Sequence, residues 1–249
     1  MSNKIKKAII SISDKSEIKL VLNTLEKYKI NILSSGGTSK EINKLGFKFT
    51  DISEYTKTDE ILNGRVKTLH PKLYAGILSK RDNKNHKKEL KKNNYEEIDL
   101  VIVNFYPFEE ILKKTKNHNK LIENIDVGGP TLVRAAAKNY KYTTVLTSPN
   151  QYKEFILDLE KNKGSTSLEL RKKLSREAFN LTAYYDSVIS EYLNNISNDY
   201  FPQKKTIHGN LVEVLRYGEN PHQKSAIYSK NNNLDILQLS GKKLSYNNY

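Results

Sequence analysis

Short apolar runs alternate with helically spaced stretches along the first fifty residues. Residues 7–13 form an apolar run that reads as a strand, and Ile18, Val21, Leu22 and Leu25 then recur at helical spacing. Between them, Ser13-Asp14-Lys15-Ser16 offers helix-capping oxygens. Residues 31–34 read as a second strand, Ser35-Gly36-Gly37-Thr38 as a tight turn, and Ile42 with Leu45 as a short helix stopped by Gly46. Residues 47–52 read as a third strand. Strand, helix, strand, helix, strand in that order predicts an α/β fold with a parallel sheet and helices on both faces.

The pattern then breaks. Residues 53–79 fit no simple element, and a long irregular stretch in a compact domain is usually functional. Residues 84–92 read as a solvated, lysine-rich helix face. Residues 99–104 are a buried-type strand running into Phe105-Tyr106-Pro107-Phe108, and residues 142–146 are another, closed by Ser148-Pro149. Residues 168–193 read as one long helix. The character changes at Phe201-Pro202, so a main domain is expected over 1–200 and a different segment over 201–249. There is no internal repeat.

A chain of 249 residues is sized for one domain, or one domain with a fragment, and 37% hydrophobic content supports a core. No apolar run is long enough for a membrane span, and no cleavage-type signal follows the basic N-terminus, so a cytoplasmic protein without a membrane partner is expected. The absence of cysteine excludes disulfides, thiolate metal sites and cysteine nucleophiles. The five histidines are scattered without metal-ligand spacing, so no metal is expected.

Lys and Arg exceed Asp and Glu, 42 to 28, for a net charge of +14. The excess lysine is spread over the whole chain, and no aromatic stripe alternates with arginine. The charge therefore reads as a field that favours capture of an anionic metabolite, with no nucleic-acid partner expected. A nucleic-acid binder is the rival the charge motivates, and it would show tight, steeply salt-dependent binding to unrelated DNA.

Candidate chemistry sits at strand ends, where ligands bind in open parallel sheets. Ser13, Asp14 and Lys15 follow the first strand, and Ser35, Gly36, Gly37 and Thr38 follow the second. Glycine lets backbone N–H groups approach a phosphate, the following helix start adds partial positive charge, and Lys15 adds a full one. Gly-Gly-Thr alone reads equally as a plain turn; the preceding Ser-Asp-Lys tilts it toward phosphate. Arg65, Lys67 and Thr68 form a second group, able to take phosphate or carboxamide oxygens, while Lys72 reads as an exposed basic residue.

Asn104 carries both donor and acceptor, as recognition of a purine or amide edge requires. Phe105 and Phe108 read as core, and Tyr106 stays undecided by pattern. Gly128-Gly129-Pro130-Thr131 reads as a turn entering an alanine-rich helix. Asp126 precedes that turn, and Lys138 closes the helix. Lys138 is a surface lysine by itself, and a proton carrier only in company with the other motifs.

These motifs together strongly resemble the bifunctional purine-biosynthesis family that combines AICAR formyltransferase and IMP cyclohydrolase. The resemblance rests on Ser11-Ile12-Ser13-Asp14-Lys15, Ser35-Gly36-Gly37-Thr38, Gly64-Arg65-Val66-Lys67-Thr68-Leu69-His70-Pro71, Asn104-Phe105-Tyr106-Pro107-Phe108 and residues 126–139, and runs from about residue 5 to the C-terminus. It implies a methylglyoxal-synthase-like three-layer fold with a mainly parallel central sheet. It also implies closure of the purine ring of formyl-AICAR to IMP, with loss of water and without cofactor or metal.

The resemblance puts the nucleotide phosphate at Ser13, Asp14, Lys15 and the Ser35, Gly36, Gly37, Thr38 turn. It puts Arg65, Val66, Lys67, Thr68, Val103, Asn104, Asp126 and Val127 around the ribose and base. Lys138 becomes the proton donor or acceptor, with Lys67, Tyr106 and Asp126 as polar helpers. A homodimer is implied.

Arg216 to Gln223 and the segment 241–248 resemble the opening of the formyltransferase half, where Arg216 and Tyr217 match AICAR-binding positions. The catalytic Lys-His pair of that half, and most contacts to 10-formyltetrahydrofolate, lie farther on. Residues 201–249 are therefore expected to be an incomplete beginning, without formyl transfer. Two rivals share the fold: a non-catalytic nucleotide-binding regulatory domain, which would bind IMP without turnover, and methylglyoxal synthase, which would release phosphate from dihydroxyacetone phosphate.

Overall fold

The first strand, β1 (Lys7–Ser11), is the centre of the sheet, and its Ala8, Ile9 and Ile10 are all fully buried. Successive side chains of a strand point to opposite faces, so a wholly buried run means that both faces are covered. The computed structural model describes residues 4–197, 199–230 and 238–248. Among them, β2 (Asn31–Ser34), β3 (Thr50–Asp51), β4 (Leu100–Val103) and β5 (Thr144–Leu146) join β1 in one sheet of order β3-β2-β1-β4-β5. Every pairing in it is parallel. The order reverses between β1 and β4, and the loops after those two strands meet there; such a switch point is where doubly wound sheets bind ligands.

The connecting helices are α1 (Ile18–Lys27), α2 (Gly36–Lys44), α3 (Ile52–Thr56), α4 (Pro71–Leu78) and α5 (Lys84–Lys92). They continue with α6 (Phe108–Lys114), α7 (His118–Glu123), α8 (Gly128–Lys138), α9 (Tyr152–Lys161) and the long α10 (Leu168–Ile196). Helix α1 packs with α9, while α4 packs with α8, which also lies on β4 and β5. Ala135, Ala136 and Ala137 are buried in α8, and these small side chains let it lie close to the sheet. No helix among the described residues is long and apolar enough to cross a membrane.

Several elements differ from the pattern-based expectation, each for a local reason. The first strand ends at Ser11 rather than 13, because Ile12 turns its backbone N–H and C=O to the Thr38 hydroxyl. The expected turn at 35–38 is already helical from Gly36. The third strand is only Thr50–Asp51, because the Asp51 carboxylate caps α3 by accepting the Ser53 N–H at 2.9 Å. The stretch 53–79, expected to be irregular, contains most of α3, a short 3₁₀ turn at Leu62–Gly64 and α4. Pro71 at the start of α4, with the His70 ring accepting the Lys72 N–H at 3.1 Å, is the start signal that the reading passed over. The fifth strand begins at Thr144, two residues late, after a turn at 141–142.

The chain divides into two compact units, Met1–Ala183 and Tyr184–Tyr249. The second contains an antiparallel hairpin, β6 (Asn210–Val214) with β7 (Ala226–Ser229). His208 lies half-buried in that unit, between the Ser187 hydroxyl at 3.1 Å and the Glu191 carboxylate at 3.4 Å. Of the segment expected to open a second half, residues 231–237 and Tyr249 lie outside the described residues.

Candidate active site

The loops that follow β1, β2 and β4 open together into a cleft of about 790 Å³ in the first unit. Loop 63–68 and the start of α8 complete its walls. Of the residues singled out from sequence, Ser13, Lys15, Ser35, Gly37, Thr38, Arg65, Lys67, Thr68, Asn104, Tyr106, Asp126 and Val127 line it. Segments more than a hundred residues apart thus converge because three parallel strands end at one edge.

One end of the cleft has the donors an anion needs. The N–H groups of Gly36, Gly37 and Thr38 precede the first helical bond of α2, from Ser39 N–H to the Ser35 carbonyl, so they point out of its N-terminus. Ser35 occupies the cap position, but its hydroxyl makes no cap bond. Lys15 stands nearby in sequence and cleft, its Nζ 3.4 Å from the Ser13 carbonyl. Gly36 has φ of 58°, and a Cβ there would come within 2.5 Å of Lys67 Nζ. The left-handed backbone favours glycine there, while the flexible end of Lys67 could move aside from a Cβ.

Two of the expected ligands use their side chains for structure. Thr38 is 4% exposed. Its hydroxyl accepts the Ile12 N–H at 2.9 Å and donates to the Ile12 carbonyl at 3.0 Å, fastening α2 to the end of β1. Asn104 Oδ1 accepts the N–H groups of Ser13 at 2.6 Å and Asp14 at 2.9 Å, while Nδ2 donates to the Asp14 carbonyl at 2.9 Å. The Asp14 carboxylate turns away to the Ser16 N–H, and hydrogen bonds from the Ser16 backbone and then its side chain hold its pKa below the usual range.

The opposite end is built on the start of α8. Asp126 Oδ1 accepts the Gly129 N–H at 2.8 Å, and a Cβ on Gly129 would collide with that carboxylate. Burial pushes the Asp126 carboxyl above its ordinary pKa, partly offset by hydrogen bonds from the Gly129 and Tyr106 backbones. Tyr106 and Val127 are each 56% exposed on this side, which resolves Tyr106 as a cleft residue rather than core. Phe108 is buried, as expected, and Phe105 packs against the core.

Loop 60–68 carries the remaining cations. Ile61 and Val66 exchange N–H···O bonds of 3.2 and 3.3 Å, forming one antiparallel bridge. The next pair outward is Glu60 and Lys67, whose charged ends meet at 2.9 Å. Leu62 and Asn63 both take left-handed backbone inside this loop, a conformation that costs about 1–2 kcal/mol for a residue with a Cβ. Arg65 makes a two-pronged pair with Glu123, at 3.1 and 2.6 Å, across the rim. Sequence reading missed Glu60 and Glu123; two unmatched cations in a loop were the only hint that carboxylates had to be found for them.

Some expected residues stand apart. The Val103 side chain is in the core, and Val66 is taken up by the bridge. Lys138 is exposed in the last turn of α8, ten residues beyond Gly128. At 1.5 Å rise per residue that is about 15 Å from the helix start that lines the cleft, and Lys138 is not among the lining residues. Arg216 and Tyr217 lie in the second unit, where the guanidinium stacks on the Tyr217 ring at 4.8 Å. Hydrogen bonds to Ser245 and then to Arg216 lower the Tyr217 pKa.

Comparison with known proteins bears on the family and the fold. Residues 14–131 match the MGS-like domain, and residues 136–249 match the AICARFT/IMPCHase bienzyme. The chain is similar to the bifunctional purine biosynthesis protein PurH of Persephonella marina, at 44% identity over 98% of this chain and 49% of that protein. It is similar to PurH of Caldicellulosiruptor bescii at 45% identity, with the same coverage. The chain therefore spans about half the length of these curated relatives. Among solved structures it resembles that of ForH, with a TM-score of 0.68 and 28% identity over 76% of this chain and 99% of ForH.

Proposed function

The chain belongs to the AICARFT/IMPCHase bienzyme family, and we propose that its first unit is an IMP cyclohydrolase that converts formyl-AICAR to IMP. In this reaction the carboxamide nitrogen attacks the formyl carbon and a C–N bond forms. The formyl oxygen leaves as water, taking one proton from the carboxamide nitrogen and one from the formamido nitrogen. No redox step is involved, and the proposal includes no cofactor. The homodimer implied by the resemblance belongs to the proposal, and the mass of the chain in solution tests it.

The observation that carries this reading is one cleft with a helix N-terminus and Lys15 at one end and the buried Asp126 carboxylate at the other. The α2 N-terminus, Ser35 and Lys15 would hold the phosphate. Lys67, already against Gly36, would reach both the phosphate and the substrate beyond it. Asp126 would take the proton from the attacking nitrogen, since a carboxylate whose pKa is raised toward the working pH is the better base. Tyr106 and Arg65 would face the developing oxyanion, which fixed donors and cations stabilise most. Tyr106 and Val127 supply exposed apolar area for the base.

Lys138 is a separate part of the proposal, because it lies at the far end of α8. Unchanged turnover in Lys138→Ala would remove it from the mechanism. Its position also favours a second reading, in which the cleft binds a purine nucleotide without turning it over. The two readings separate on mixing the purified chain with formyl-AICAR and following ultraviolet absorbance. Conversion to IMP supports the cyclohydrolase; binding of IMP without conversion supports the regulatory domain.

A further inference from the structure

The resemblance groups Asn104 with the contacts to ribose and base, yet its side chain is already committed. Both acceptor directions of Oδ1 and one Nδ2 hydrogen are used on residues 13 and 14, some ninety positions earlier in the chain. An amide oxygen has two lone pairs, so Oδ1 has no acceptor capacity left for a base edge. The three bonds cross the sheet's switch point, from the end of β4 to the loop after β1. Without them, the N–H groups of Ser13 and Asp14 and the Asp14 carbonyl have only water to satisfy them, and the side-chain hydrogen bonds that tie loop 12–16 to the end of β4 are gone.

We propose that Asn104 is a positioning residue for the phosphate end of the cleft, acting through the Ser13–Lys15 loop, and not a reader of the base. The amide holds that loop where Ser13 and Lys15 line the same cleft as Ser35, Gly37 and Thr38. This rests on the nucleotide reading above and deepens it: Asn104 contributes to affinity for any phosphorylated ribose, with or without a base. Thr38 does the parallel task from the other side, since its hydroxyl fixes α2 to Ile12.

The test is calorimetric titration of the whole chain with two ligands, IMP and ribose 5-phosphate. Asn104→Leu keeps the branched shape and removes every hydrogen bond; Asn104→Ser is the second variant if leucine disturbs the fold. The expected result is a loss of about tenfold or more in affinity for both ligands by the same factor. Amide hydrogen exchange at Ser13 and Asp14 should accelerate, while exchange at Ile9 and Val101 in the core stays unchanged. IMP weakened with ribose 5-phosphate unaffected would make Asn104 a base contact and overturn the proposal. Unaltered affinity for both, or unaltered exchange at Ser13 and Asp14, would overturn it equally. A parent chain that binds neither ligand would overturn the nucleotide reading itself and this proposal with it.

Discussion

The two ends of the cleft are built by different means. At the proposed phosphate end, buried or half-buried side chains fasten strand termini to one another: Thr38 joins α2 to β1, and Asn104 joins β4 to the loop after β1. At the other end, Asp126 sits against the start of a helix that needs glycine beside it, and its burial raises the cost of its own charge. Between them, the cations of loop 60–68 are held by partly or wholly exposed carboxylates, Glu60 and Glu123. Exposed pairs are weak and screened by salt, so substrate can displace them. On the proposed reading, the contrast separates a preformed holding end from a proton-handling end where burial disfavours the charged carboxylate.

That separation predicts different kinds of damage. Asp126→Asn keeps the size and the acceptor for the Gly129 N–H but removes the base, so turnover should fall about 10²- to 10⁴-fold with IMP affinity changed only a few-fold. The same variant has a stability signature. The folded pKa of Asp126 lies above its unfolded value, so its favourable contribution is complete below the unfolded value of 3.8 and is lost as pH rises through the folded one. Asp126→Asn should therefore melt at or above the parent at neutral pH, with the advantage vanishing on acidification below about pH 4. A lower melting temperature at neutral pH would contradict the assigned burial cost.

Lys67→Ala should damage both ends together. Loss of a charge-assisted contact is worth about 1.5–3 kcal/mol, which is roughly ten- to a hundredfold in IMP affinity, with turnover reduced as well. Full activity in this variant would remove Lys67 from the cleft chemistry. Thr38→Val leaves two buried backbone groups of Ile12 without partners. It should cost about 1–3 kcal/mol in unfolding free energy, with weaker ribose 5-phosphate binding and turnover at saturation nearly intact. The smallest effect belongs to Glu123→Gln at the rim. It frees Arg65, so the melting temperature should not move, while IMP affinity rises a few-fold at low salt and the gain fades at high salt.

Much of the sheet was legible because buried strands in parallel sheets are continuous apolar runs: residues 31–34 and 100–103 need no tertiary information to be read. The helix starts at Ile52 and Pro71 were not read, although Asp51 and His70-Pro71 carried the capping chemistry. The site was legible as a set of residues and less so as an arrangement. Asn104 carries donor and acceptor whether it meets a base or a loop, and only its partners at 13 and 14 tell which. Glu60 meets Lys67 because an Ile61–Val66 bridge closes over left-handed Leu62, Asn63 and Gly64; Asn63-Gly64 is a turn signal that pattern reading passed over, whereas Leu62 carries none. Lys138 and Asp126 are twelve residues apart in sequence, yet a straight helix carries them to opposite ends.

The most direct test of the division is to measure kcat and KM for formyl-AICAR in Asp126→Asn and Thr38→Val side by side. The account predicts that Asp126→Asn lowers kcat with KM nearly unchanged, and that Thr38→Val raises KM with kcat nearly unchanged. Both variants moving the same parameter, or exchanging these effects, would contradict a cleft divided into a holding end and a proton-handling end.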